Sequence, residues 1–328
     1  MPRFGAPVLF CALLGGLCCF GAAPAAAFKV YVSNEKGNSI SIIDSDKQQV
    51  IQTIPVGRRP RGLAVSPDGK SLYVCTSDED GIQVIDTASL KILRTLRSGR
   101  DPELMILNPS GNPLYVANED NAQVTVLDVD KNEVLATVSV GVEPEGLSLS
   151  PDGKVLVNTS ETTNMAHFID TTNFKLIDSV LVDKRPRFAI FSKDGSRLWV
   201  SSEVGGSVAV LDAATHKIIK KIRFDVPGLT QEEIQPVGIR LTSDGKKAFV
   251  ALGPANRVAV IDAQTLNIEK YLLVGQRVWQ MAFTPDEKLL YATNGNSNDV
   301  SVIDVANLKV IKSIAVGAAP LGVVVSPN

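Results

Sequence analysis

The feature that most constrains this chain is a 42-residue spacing. An Asp closes an alternating apolar segment at Asp44, Asp86, Asp128, Asp170, Asp212, Asp262 and Asp304, in steps of 42 residues except for one of 50. A second register, Asp68, Ser110, Asp152, Asp194, Asp244, Asp286 and Asn328, keeps the same period independently. The fullest copy covers 57–99 and holds four short segments, LAVS, LYVCT, IQVID and ILRTLR. Each alternates apolar with small or polar residues, the period-2 pattern of a half-buried strand. SPDG between the first two is a tight turn, in which Pro sets φ, Asp bonds its own backbone and Gly accepts positive φ. Seven repeats of four antiparallel strands predict an all-β, seven-bladed β-propeller. Three strands precede Gly57 (KVYVSN, SISIID, QVIQTI) and one follows Gly317 (LGVVVS). The C-terminal strand is therefore expected to join the three N-terminal strands, closing the ring and leaving no open sheet edge.

Residues 1–27 precede the repeats. Arg3, the run VLFCALLGGLCCFGAA and Ala25-Ala26-Ala27 read as a secretory signal cleaved before Phe28, leaving 28–328 as a single domain. The apolar run is short for a membrane span, and Leu17 before Cys18 does not suit a lipid anchor. The expected product is soluble, exported to a bacterial periplasm, with no membrane span after cleavage. Three of the four Cys fall in the signal, and the fourth, Cys75, sits on a second strand and reads as inert core. No disulfide is then available, but a chain of this length buries enough surface to fold without one. Losing Arg3 leaves 32 bases against 35 acids, and no basic run reaches five, so nucleic acid is not an expected partner.

Function in such a ring belongs to its loops, above all where the central tunnel opens. The connections into each innermost strand read RRPRG, RDPEL, VEPEG, KRPRF, QPVG, RVWQ and AAPLG. The residue after the Pro position should rim the tunnel mouth, giving Arg61, Glu103, Glu145, Arg187, Val237, Trp279 and Leu321 around the ring. That is a charged arc of four blades and an apolar arc of three, with Trp279 two blades from each Arg. Two readings stay open. In one, a flat anionic ligand stacks on Trp279 while Arg61 and Arg187 take its carboxylates, with Arg59, Arg185 and Arg277 adding positive charge. In the other, Arg61 pairs with Glu103 and Glu145 with Arg187, and the rim neutralises itself.

A second loop set on the same face carries Glu35, Glu119, Glu161 and Glu203 at equivalent places. Four carboxylates would suit Ca²⁺ only if they converged, and blade symmetry separates them, so no metal site is assigned. His167 replaces the small or polar residue of the other third strands (Ser41, Gln83, Thr125, Ala209, Ala259, Ser301), as a specialised contact or as a hydrogen-bonded structural His. His216 is expected to be a solvated residue of an outer hairpin. The repeated Asp residues are expected to bond the backbone of their turns rather than to act in catalysis. The extra eight residues, around 225–235, lengthen one loop on the functional face, as a lid or a docking element. No phosphate loop, nucleophile elbow, paired-His metal spacing or haem motif occurs in the chain.

The repeated pattern VSPDGKxLYVxN…VxVID…VG resembles the YVTN-type propeller repeat over the whole of 28–328. The strings VGVEPEG, TSETTNMAHFID, QPVGIRLT, ALGPANRVAVID and LLVGQRVWQMAFTPD are more specific. They resemble the PQQ-dependent catabolism-associated β-propeller proteins, encoded beside quinoprotein alcohol-oxidation systems and ABC-transport components. The resemblance implies an exported accessory protein of alcohol catabolism. It also implies PQQ as a possible bound ligand, and a periplasmic quinoprotein dehydrogenase or an ABC-transport component as partner. Seven blades, one Cys after the signal and only Trp199 and Trp279 depart from the quinoprotein dehydrogenases themselves. The expected function is a non-catalytic binding or docking module acting at the funnel. The alternative is an enzyme such as a lactone hydrolase, using Glu and Arg of the same rim.

Overall fold

A computed structural model describes residues 1–5 and 27–327. The predicted export signal over 1–27 lies, apart from its two ends, outside the described residues. Seven four-stranded antiparallel sheets follow one another around a ring. The first blade is completed by Pro320–Val325, which pairs with Lys29–Asn34, Val30 standing opposite Val325 and Tyr31 opposite Val324. Among the described residues no helix is long and apolar enough to cross a membrane.

The turns form for the reasons the sequence suggests. All seven repeated Asp carboxylates accept backbone N–H groups two or three residues on, as Asp44 does from Lys47 at 2.9 Å and Asp304 from Asn307 at 2.9 Å. Those bonds hold Asp44, Asp128 and Asp262 below their ordinary pKa, and at Asp86, Asp170, Asp212 and Asp304 the side chains of Ser89, Thr172, Thr215 and Asn307 do so first, with the backbone bonds adding to them. The two middle strands of a blade are buried on both faces, because a neighbouring blade covers each face. Tyr31, Ile40 and Ile42 of the first blade thus pack on Leu63, Leu72 and Ile85 of the second. The outermost strands leave Ile51, Leu93, Ile177 and Ile219 exposed. Cys75 is fully buried, where burial pushes its thiol up, as befits inert core.

Two details depart from the sequence reading or sharpen it. His216 is not simply solvated: its ring stacks on Phe168 at 3.8 Å, and its Nδ1 lies 2.7 Å from Asp178. Phe168 faces the hairpin of the next blade, so the outer His gains an aromatic shelf. The inserted loop is anchored rather than free, with Val226 and Ile234 buried and a short turn at Gln231–Glu233 closed by a Thr230–Glu233 capping box.

The innermost strands set the geometry of the tunnel. Two residues after each Pro position, small and large residues alternate: Gly62, Leu104, Gly146, Phe188, Gly238, Gln280, Gly322. Each Gly lets the next innermost strand come close. A Cβ on Gly62 would stand 2.5 Å from the Glu103 carbonyl oxygen, and one on Gly238 would stand 2.6 Å from that of Trp279. Buried hydroxyls then join neighbouring blades. Ser33 donates to the Arg61 carbonyl at 2.7 Å, Ser201 to that of Val237 at 2.6 Å and Thr293 to that of Leu321 at 2.7 Å. In each case the carbonyl belongs to a rim residue, so the hydroxyls fix the rim backbone. Ser33 also accepts the Gly322 N–H at 2.8 Å. Ser33→Ala strands both groups in a dry interior, and we expect it to cost about 1–3 kcal/mol in urea unfolding. An unchanged midpoint would show that the blades hold without this link.

Candidate functional site

The side chains of the tunnel mouth are aimed by a local device repeated around the ring. The residue before the Pro position takes a left-handed conformation at Arg59, Asp101, Glu143, Arg185, Arg277 and Ala319. At all of these but Glu143, its N–H is held by an Asn or Asp carbonyl or carboxylate from the preceding blade, 21 residues earlier. Asn38 takes Arg59 at 3.0 Å, Asn164 takes Arg185 at 3.0 Å, Asn256 takes Arg277 at 2.8 Å and Asp80 takes Asp101 at 2.9 Å. That bond offsets the cost of positive φ in non-Gly residues. It places Arg59, Arg185 and Arg277 directly above the rim.

On this base the predicted residues assemble into one ionic network. Arg61 bridges Glu103 at 2.5 Å, Glu35 at 3.2 Å and Glu145 at 3.4 Å. Arg187 bridges Glu145 at 3.2 Å, Glu161 and, at 3.7 Å, Glu203. The adjacent-blade pairs of the self-neutralising reading, Arg61–Glu103 and Glu145–Arg187, are thus both present. The glutamates of the second loop set do not gather on one point. Glu35, Glu161 and Glu203 each close on the rim arginines instead. Glu119 stands by Glu103, and its oxygens, with those of Glu103 and Asp101, lie within 4.8 Å of one another. The guanidinium of Arg59 already supplies positive charge there, at 2.9 Å from Asp101 and 3.0 Å from Glu103.

The network is uneven. Around Glu203 three guanidiniums crowd one carboxylate: Arg277 at 2.9 Å, Arg185 at 3.1 Å and Arg187 at 3.7 Å. Arg185 reaches Glu161 as well, at 2.8 Å. Arg187 and Arg277 also stand over the Trp279 ring, at 5.6 and 4.5 Å from its centroid. Burial, and then the repulsion of Arg187 and Arg185, pull the Arg277 pKa down against Glu203. The opposite side of the mouth collects Glu35, Asp101, Glu103 and Glu119 around Arg59 and Arg61. The mouth is therefore cationic beside Trp279 and acidic across from it. A basin of about 520 Å³ lies over it, lined by Arg61, Arg185, Arg187, Arg277 and Trp279, by the carboxylates of Glu35 and Glu203, and by Leu321, Val204 and Gln235. Gln235 comes from the inserted loop, which thereby contributes to the site.

Titration follows from this crowding. Burial pushes the Glu161 carboxyl up to about 7, against the pull of Arg187. Burial also raises Glu119 and Glu103, with Glu145 adding to both. Burial works against ionised Glu145 too, yet Arg187 and Arg61 hold it below the ordinary value.

His167 lies apart from the basin. Gly141 donates its N–H to His167 Nε2 at 2.9 Å, and Nδ1 lies 2.8 Å from Ser179 Oγ, so both ring nitrogens are engaged within its blade. Burial lowers its pKa. Gln83 accepts the Gly57 N–H in the equivalent place, so this register receives a loop amide. Sequence reasoning missed Asp101, Gln235 and the Asn set at Asn38, Asn164 and Asn256. The constant separation of 21 residues from the residue before each Pro position was the available signal.

A YNCE-like β-propeller family model matches residues 16–105, and a choice-of-anchor I domain model matches residues 118–288, just over half of the chain. No curated protein matches the chain. Among solved structures the chain is similar to hydrazine synthase of Kuenenia stuttgartiensis, with a TM-score of 0.78 at 22% identity over 85% of this chain and 92% of that one. A functionally unknown protein of Desulfotomaculum acetoxidans gives 0.78 at 18% identity over 92% and 99%. A putative 6-phosphogluconolactonase of Bacteroides fragilis gives 0.75 at 20% identity over 93% and 99%. At these identities the likeness is one of fold.

The Glu161 carboxyl yields a signed prediction. Its folded pKa stands above its ordinary 4.5, so between that value and about 7 the folded chain holds a proton that the unfolded chain has released. Stability attributable to Glu161 therefore falls as pH rises through that window. Glu161→Gln should flatten the decline in melting temperature between about pH 5 and about pH 7.5. A decline equally steep in the variant would remove Glu161 as its source.

Proposed function

We propose, for a chain that belongs to the choice-of-anchor I domain family, the role of an exported, non-catalytic binding and docking propeller accessory to PQQ-dependent alcohol catabolism. The observation that carries this reading is the basin itself, where three guanidiniums crowded on Glu203 stand beside a half-buried Trp279. A planar polycarboxylate such as PQQ matches that arrangement. Its flat face extends the stack begun by Arg277 on the indole, and its carboxylates draw on the donors that Arg185 and Arg277 do not spend on Glu203. Arg187 is the framework of the site, since it is buried and already ties Glu145, Glu161 and Glu203 together. The acidic side of the mouth, with Arg59 and Arg61, gives a docking partner a patch of opposite sign. A periplasmic quinoprotein dehydrogenase or an ABC-transport component is the proposed partner.

A hydrolytic reading of the same basin rests on one observation, the Glu161 carboxyl raised to about 7 beside two arginines. A carboxyl with that pKa exchanges protons near neutral pH, as a general acid or base must. Turnover of any lactone or ester in a panel run with and without divalent metals, lost in Glu161→Gln, would replace the binding reading with this one.

The binding reading is checked by calorimetric titration of PQQ into the full-length chain. We expect saturable binding that weakens at least about tenfold in Trp279→Ala and in Arg277→Ala, each equivalent to about 1.4 kcal/mol. Absence of heat at high PQQ concentration would leave protein docking as the function of this face, to be followed by affinity capture from an alcohol-grown periplasm.

A further inference from the structure

Below the rim, one to three residues deeper along the same innermost strands, the central tunnel holds a cavity of about 230 Å³ to which all seven blades contribute. Its walls are apolar, chiefly Leu104, Met105, Ile106, Phe188 and Val323. One charged side chain faces it. Arg240 occupies the register held elsewhere by Ala64, Ile106, Ser148, Ile190, Ala282 and Val324. Its guanidinium donates from Nη1 to the Ile239 carbonyl at 2.7 Å and stands 4.9 Å over the Phe188 ring. Among the described residues no carboxylate pairs with it.

A guanidinium offers five N–H donors and stays protonated at any physiological pH. Burial alone pulls Arg240 down to about 10, which still leaves it charged at neutral pH. The rim solves the problem of buried charge with carboxylates in contact with every arginine. The tunnel cavity instead keeps a half-buried cation with no counter-charge from the chain, a state that an anion entering the cavity would complete. One further polar group faces the same space with a donor to spare: Ser148 accepts the Phe191 N–H at 3.1 Å and keeps its own proton to donate.

We propose that this cavity binds a compact apolar monocarboxylate, aromatic or branched aliphatic, whose carboxylate is received by Arg240. A single cation matches a single negative charge, whereas a phosphate monoester or a dicarboxylate would bring a second charge into an apolar chamber. A carboxylate takes paired donors from a guanidinium in plane, and the hydrocarbon remainder fills walls that no inorganic anion would cover. The site is separate from the basin above the rim, and Trp279 is not part of it.

The test titrates benzoate and isovalerate into the full-length chain by calorimetry, with benzamide and isovaleramide as neutral isosteres and melting temperature as a second readout. At least one acid should bind saturably and raise the melting temperature, and its amide should bind at least tenfold more weakly. Arg240→Met should abolish the binding and melt no lower than the unmodified chain, since hydrocarbon replaces an unpaired, half-buried charge. Trp279→Ala should leave it unchanged. The proposal is overturned if neither acid binds, if an amide binds as well as its acid, or if binding survives in Arg240→Met. Loss of binding in Trp279→Ala would move the carboxylate to the rim and overturn it as well. Should Arg240→Met not fold, the acid–amide comparison on the unmodified chain decides the matter alone.

Discussion

The pairing of Pro320–Val325 with Lys29–Asn34 is the contact on which the rest depends. It turns a row of seven sheets into a ring, and only in a ring do the seven innermost strands face one another across a tunnel. Without it the first and last blades would each show an open edge, and their hydrophobic faces would lack a neighbour. Closure also explains why the rim is a site. The Arg61 carbonyl is held by Ser33 of one blade, while its side chain meets Glu35 of that same blade and Glu103 and Glu145 of two others.

The ionic network at the mouth is better understood as positioning than as stabilisation. Glu103, Glu145, Arg61 and Arg187 are all buried, and removing such charges from water costs much of what their attraction returns. Removing one partner is another matter, because the remaining charges then stand buried and unpaired. The network therefore resists piecemeal change while adding little net stability. It holds Arg185 and Arg277 at fixed heights beside Trp279, and that height decides what the basin accepts. The Asn side chains that hold the N–H groups of Arg59, Arg185 and Arg277 reinforce it from below, through the backbone.

How much of this was legible in the sequence depends on how local each feature is. The repeat, the Asx turns at Asp44 through Asp304 and the closing strand rest on neighbours within a few residues or on a count, and they could be read. Where the innermost strands begin was also readable, because the Pro position marks it, although Val237 turns into the core between blades instead of rimming the mouth. What could not be read was which rim residues meet. Glu35, Glu161 and Glu203 look symmetric and separate in the sequence, yet Glu35 and Glu161 reach over the start of the next blade to Arg61, Arg185 and Arg187, while Glu203 meets Arg185 and Arg187 of its own blade and, two blades on, Arg277. The shelf of Phe168 under His216 is likewise a contact between blades. Arg240 was passed over for a different reason. Inside QPVGIRLT it resembles the outward-facing cation of an ordinary strand, and only the ring shows that its register points into the tunnel.

Seven blades also carry a consequence that an even number would not. Small and large residues alternate two places after each Pro position, so each large side chain overhangs a neighbouring Gly. Around an odd ring that alternation must fail once, and it fails where Gly322 meets Gly62, at the junction of the closing strand. Both glycines line the tunnel cavity, while Leu104, Phe188 and Gln280 narrow the other positions of the same layer. The tunnel is thus asymmetric by arithmetic before any functional residue is placed in it. A repeat protein copied without change would present the same side chain from every blade. Here Phe188 and Arg240 stack together at one wall, while the opposite one carries only the aliphatic side chains of Leu63, Val323 and Val324 beside its two glycines. That division supplies an oriented chamber, with a charge at one wall and hydrocarbon facing it.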